Sequence, residues 1–99
     1  MRLSSRQVSL IKDAVASTVD SVAKIILFGS RVDDEAKGGD IDLYIELTEI
    51  QQNRAALASR IAAILQIGLG DRRIDIVLVD PKTPMQAIHA HALQQGVEL

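Results

Sequence analysis

Apolar residues recur along this chain with two periods, and the switches between them mark its elements. Over residues 4–22, Val8, Ile11, Val15, Val19 and Val22 follow one another at spacings of three and four. That spacing predicts an amphipathic helix with one apolar stripe. Ser4 or Ser5 stands where a capping hydroxyl belongs, and Arg6, Lys12, Asp13 and Asp20 mostly lie off the stripe. Residues 24–28 are almost wholly apolar and read as a short strand buried on both faces. Residues 40–47 alternate instead. Ile41, Leu43 and Ile45 share one face of the expected strand, and Asp40, Asp42, Tyr44 and Glu46 the other. Between these strands, 30–36 reads as a short helix or turn. Asp33, Asp34 and Glu35 suit the positive end of its dipole, and Gly38-Gly39 closes it.

The second half repeats the alternation of periods. Leu57, Ile61, Ile64 and Leu65, flanked by Ala58 and Ala62, predict a helix over 51–67, with Gly68 and Gly70 as its stop. Residues 72–80 read as a third strand, on which Arg73, Asp75, Val77 and Val79 share a face. Pro81 and Pro84 bracket the entry to a last helix over 84–95, with Met85, Ile88, Ala92 and Leu93 apolar and Gly96 as its cap. The predicted fold class is therefore α/β (α+β): a small mixed sheet of three or more strands flanked by helices. The order is helix-strand-short helix-strand-helix-strand-helix, within a single domain over 1–99.

Topology follows from where the polar motifs sit. Ser30 lies at the C-terminal end of the first strand and Asp40 at the N-terminal start of the second. They meet only if those strands are antiparallel neighbours. The helix over 51–67 makes a crossover, so the third strand runs parallel to the second. Asp75 then starts at the same end of the sheet as Asp40 and Asp42.

Two carboxylates at i and i+2 on a strand stand roughly 6–7 Å apart at Cα. Left alone they repel, and one is harder to ionise. A hard cation such as Mg²⁺ relieves the repulsion and brings a phosphate with it. Gly29-Ser30, directly after a strand, permits a sharp turn whose N–H groups and hydroxyl suit an anion. A phosphate cradle beside paired carboxylates equips a site for metal-assisted phosphoryl or nucleotidyl transfer. Arg31 is expected either to reach a phosphate or to stay a solvated surface residue. The plain structural readings are a solvated strand start for Asp40 and Asp42, an ion pair with Arg72 or Arg73 for Asp75, and a simple turn for Gly29-Ser30. His89 and His91 are i and i+2 on a helix, about 200° apart, and do not share an ion. Asp80, before Pro81, reads as a turn residue.

Composition narrows the classes. A core with one Phe, one Tyr and no Trp is built from Ile, Leu, Val and Ala. A net charge of −2 argues against a basic nucleic-acid surface. No Cys means no disulfide or thiolate site. With no apolar run of membrane length and no signal-peptide pattern, the expectation is a cytoplasmic domain.

Gly29-Ser30, then nine residues, then Asp40-Ile41-Asp42 resembles the signature of the DNA polymerase β-like nucleotidyltransferase superfamily. The short chain is similar to its minimal nucleotidyltransferase (MNT) branch, the antitoxins that pair with HEPN toxins. Gly39 departs from the commoner pattern, in which a Ser precedes the first Asp. The resemblance implies that Asp40, Asp42 and Asp75 hold Mg²⁺, with Asp75 also a base, and that Gly29, Ser30 and Arg31 bind the nucleotide. It implies in-line attack of a hydroxyl on the α-phosphorus of ATP, with pyrophosphate leaving. It also implies an acceptor: a tyrosine of a HEPN ribonuclease partner, adenylylated and so neutralised. Two other readings stand beside this one. The chain is a catalytically silent member that inhibits its partner by occlusion, or a small-molecule nucleotidyltransferase whose homodimer shares an active site.

Overall fold

Helix α1, Ser5–Thr18, begins at a reciprocal cap. The Ser4 hydroxyl accepts from the Gln7 backbone N–H at 3.1 Å and the Gln7 side chain accepts from the Ser4 N–H at 2.8 Å, so two otherwise unpaired donors are satisfied. The computed structural model describes residues 3–28, 41–70, 73–84 and 87–99. The expected short helix over 30–36, Gly38-Gly39, Arg72 and Met85 lie outside the described residues.

Helix α1 ends earlier than its stripe suggested. Val19 is its extended C-cap, and Val22 already belongs to strand β1, Val22–Phe28. Strand β2 is Ile41–Leu47 and helix α2 is Arg54–Leu69. The latter starts three residues later than predicted because Asn53 caps it, its side chain accepting from the Ala56 N–H at 3.0 Å. Strand β3 is Ile74–Val79, helix α3 is Ala87–Gln95, and a two-residue strand β4, Val97–Glu98, ends the chain's regular structure. Gly70, at φ 96°, closes α2. Gly68, expected to help stop that helix, lies inside it. A Cβ there would meet Leu10 Cδ1 at 2.7 Å, so Gly68 lets α1 and α2 approach.

The sheet order is β3-β2-β1-β4. Strands β1 and β2 are antiparallel, with Phe28 opposite Asp42, as the motif positions required, and β2 and β3 are parallel, as the helical crossover predicted. Strand β4 adds to the far edge of β1, a pairing too short to leave a sequence pattern. The alternation of β2 divides two layers. Ile41, Leu43, Ile45 and Leu47 pack with Ile25 and Leu27 against Ile11, Val15, Ile61 and Leu65 of α1 and α2. Tyr44 packs on the other face with Ile26, Phe28, Val79 and Ala92 of α3. Ile64, placed in the buried stripe by periodicity, is instead exposed, as is Leu93.

Asp80 is more than a turn former. Its carboxylate accepts from the backbone N–H groups of Gln51 and Lys82, each at 2.9 Å, and from the Thr83 hydroxyl at 3.2 Å. Arg54 in turn donates to Thr83. The exit of β3 is thereby tied to the entry of α2. The Gln51 N–H, foremost, holds the Asp80 carboxyl below its ordinary value, against the opposing effect of burial; Lys82, Thr83 and Arg54 act in the same direction as Gln51. A depressed acid contributes stability that is present above its unfolded value and is lost as pH falls through the folded one. Asp80→Asn is therefore expected to flatten the fall in stability below about pH 4, read from denaturation midpoints across pH.

Among the described residues, the Ser21 hydroxyl is buried without a hydrogen-bond partner. Its backbone carbonyl is engaged, accepting from the Thr48 N–H at 2.8 Å. Ser21→Ala removes only the unsatisfied group, so it is expected to stabilise the fold by about 1 kcal/mol, measured by chemical denaturation.

Candidate active site

Strand β2 carries its polar face toward the α3 side of the sheet, because its other face is committed to the main core. Asp42 therefore points to the same side as Tyr44. Strand β3 is divided in the same way: Ile74, Ile76 and Leu78 join the main core, while Val77 and Val79 pack with Tyr44. Asp75 follows Val77 and Val79 by the period of two.

The parallel register places Asp42 directly opposite Asp75. Neighbouring strands are roughly 4.7–4.9 Å apart, so two carboxylates emerge side by side at the rim where β2 and β3 begin. Phe28 pairs with Asp42 from the other side, so β1 ends at this same row. The structure thus brings Asp42 and Asp75 together. Asp40, Gly29, Ser30 and Arg31 lie outside the described residues.

Asp75 has a cationic neighbour. Arg73 Nε stands 3.1 Å from Asp75 Oδ2 and 3.4 Å from Oδ1. The Arg73 side chain is 72% exposed and that of Asp75 48%, so the pair contributes at most about 1 kcal/mol to folding. Its electrostatic role matters more than its stability. A guanidinium beside Asp75 offsets the crowding of negative charge against Asp42. The ion-pair reading of Asp75 therefore holds together with its place beside Asp42.

Beneath the rim the face becomes apolar. Tyr44 is fully buried, meets the His89 ring edge-on with centroids 6.1 Å apart, and donates from its hydroxyl to Glu46 Oε1 at 3.2 Å. Burial, and then the charge and hydrogen bond of Glu46, raise the Tyr44 phenol above its ordinary value. It is a neutral wedge at neutral pH. His89 is buried on α3, three residues before buried Ala92, so the two share the helix face that lies on the sheet. The apolar pattern of α3 does not single out His89, and nothing along the chain signals its contact with Tyr44.

The donor set fits a divalent cation: two carboxylates in register on one face offer hard oxygen ligands from two rigid strands. A cation held by those oxygens would offset the negative charge of a triphosphate.

The sequence profile of the family described as Polymerase beta, Nucleotidyltransferase matches residues 11–99. No curated protein sequence matches significantly. Among solved structures, the chain is similar to one in the complex of a tri-AMPylated Shewanella oneidensis HEPN toxin with MNT antitoxin, at 22% identity and TM-score 0.67, covering 94% of this chain and 68% of that one. A toxin-antitoxin structure with AMP-PNP matches at 22% identity and TM-score 0.69, over 91% and 69%. The MntA-HepT toxin-antitoxin matches at 21% identity and TM-score 0.63, over 96% and 70%. At these identities the likeness establishes the fold.

Proposed function

This chain belongs to the polymerase beta nucleotidyltransferase family, and on that premise we propose that it transfers AMP from ATP to a hydroxyl of a protein toxin, acting as an antitoxin. The observation that carries the reading is Asp42 opposite Asp75, on one face at the rim of the sheet. The AMPylated toxin and the AMP-PNP complex among its structural neighbours support the choice of nucleotide and partner. An ATP donor is in keeping with a cytoplasmic setting.

Asp42 and Asp75, joined by Asp40, are the residues that would hold Mg²⁺. The ion supplies charge neutralisation and alignment of the triphosphate. The chain's own residues do the rest. Gly29, Ser30 and Arg31 bind the phosphates, and Asp75 takes the proton of the acceptor hydroxyl. That oxygen forms a bond to the α-phosphorus as the bond from the α-phosphorus to the bridging oxygen breaks. AMP stays on the acceptor, pyrophosphate leaves, and the proton passes from Asp75 to solvent. The rigid β2–β3 pair fixes the two carboxylates without reorganisation, which is where catalytic preorganisation arises.

The test is intact-mass analysis of a helical HEPN-type protein, encoded beside this chain, after incubation with the purified chain, ATP and Mg²⁺. Added mass of one or more AMP units, dependent on ATP, supports the reading. An unmodified partner that is nonetheless inhibited by the chain would replace it with inhibition by occlusion.

A further inference from the structure

Helix α2 is apolar on almost every side. Ile61, Leu65 and Leu69 are buried toward the core, yet Ile64 and Ile67 stand outward, Ile67 at 87% exposure. A helix apolar all round normally lies inside a structure. Here the outward side forms one wall of a groove of about 600 Å³, and Arg6, Ser9, Leu10 and Asp13 of α1 form the other. The groove lies on the α1/α2 layer, whereas Asp42 and Asp75 emerge on the α3 face of the sheet. A protein presenting a hydroxyl to the carboxylates approaches from the other side.

Charge selects the occupant. Arg6 and Asp13 are seven residues apart on α1, so they share a face about 10 Å apart along the axis. Among the described residues, neither takes part in an ion pair. Such a pair is self-complementary. Laid antiparallel across its own copy, α1 sets Arg6 of each chain against Asp13 of the other, about a twofold axis near Ser9 and Leu10. We propose that a second copy of this chain covers the groove, forming an isologous dimer through α1 and α2. Ile64 and Ile67 of each copy then lose their exposure against the other. Small Ser9 at the crossing permits close approach, and the two charge pairs fix the antiparallel orientation.

Sedimentation and light scattering of the full chain test this. The wild type is expected to dimerise reversibly, more weakly at high salt. Arg6→Glu and Asp13→Arg each set like charges together twice, so each variant alone is expected to be monomeric. Mixed one to one, they are expected to form a heterodimer. The carboxylate introduced by Arg6→Glu then faces the guanidinium introduced by Asp13→Arg, and the unaltered Asp13 of the first variant faces the unaltered Arg6 of the second. The double variant Arg6→Glu/Asp13→Arg is expected to dimerise again. Unchanged circular dichroism, and melting temperatures equal to the wild type's at concentrations where the wild type is itself dissociated, show that the exposed substitutions leave the fold intact. A wild type that stays monomeric at its highest soluble concentration overturns the proposal. So do single variants that dimerise like the wild type, or a mixture that stays monomeric. A monomer whose complex with a helical partner is broken by Ile67→Glu also overturns it, and assigns the groove to that partner. AMP transfer depends on the opposite face, so its presence or absence is read independently.

Discussion

Asp75→Asn is expected to lower AMP transfer by about 10²–10⁴-fold, the range set by loss of a positioned general base, while the melting temperature moves by only a few degrees. The two halves of this expectation have separate causes. Asp75 sits opposite Asp42 on a parallel strand, and in the proposed mechanism it is both an anionic ligand and the proton acceptor, so Asn would weaken the first role and abolish the second. Its folding role is small, because its partner Arg73 is largely exposed and surface ion pairs contribute at most about 1 kcal/mol. The measurement is single-turnover transfer to the partner protein, followed by intact mass, beside a thermal melt of the same preparation. Full activity in Asp75→Asn would remove Asp75 from the site. Lost activity together with a large fall in melting temperature would make Asp75 structural. Arg73→Ala is the natural companion. It leaves both carboxylates in place without that guanidinium, so Mg²⁺ is expected to raise the melting temperature of Arg73→Ala more than that of the wild type.

Much of this arrangement is legible in the residues, for physical reasons that can be named. The period of two in Ile41-Asp42-Leu43-Tyr44-Ile45 has one explanation, a strand with one apolar face, and the structure divides those residues between two layers accordingly. The antiparallel pairing followed from where the polar motifs had to meet, and the parallel one from the crossover through a helix. What escaped was whatever tertiary contacts decide. Val19 and Val22 fit a helical stripe and a strand equally well, and the pairing of Val22 with Leu47 settles Val22 for the strand. Ile64 fits a buried stripe on a helix that is apolar all round, where periodicity has no contrast to work with. Gly68 reads as a helix stop, yet the approach of Leu10 is why it is glycine. Strand β4 has two residues, too few for any period. Asp42 and Asp75 stood out because an acid within an apolar strand calls for a reason, and the parallel register sets the two opposite each other. The contact of Tyr44 with His89 was not, since it depends on how α3 lies on the sheet.

Gly96→Ala is the substitution expected to damage the fold most. Gly96 joins α3 to β4, and its N–H donates to the Ala92 carbonyl at 2.9 Å. A methyl group there would stand 2.5 Å from the Ala92 oxygen, 2.9 Å from the Leu27 oxygen, and closer still to the Ile26 side chain. Two of these neighbours are backbone, so no rotamer change relieves the overlap. Either α3 lifts from the sheet or β4 leaves β1. Both moves loosen the layer over Tyr44, Phe28 and Val79. Overpacking of this kind costs about 1–3 kcal/mol, and in a chain of this size each kcal/mol lowers the melting temperature by roughly 4–8 °C. Gly68→Ala is the contrast. Its new methyl group would meet the Leu10 side chain, Cδ1 at 2.7 Å, Cδ2 at 2.8 Å and Cγ at 3.2 Å, which must shift, but this is a side chain and not backbone, and alanine restores about 1 kcal/mol of helix propensity. Thermal melts of the two variants are expected to diverge, with Gly96→Ala well below Gly68→Ala. Equal melting temperatures would mean that the α3–β4 junction yields more readily than its backbone contacts imply.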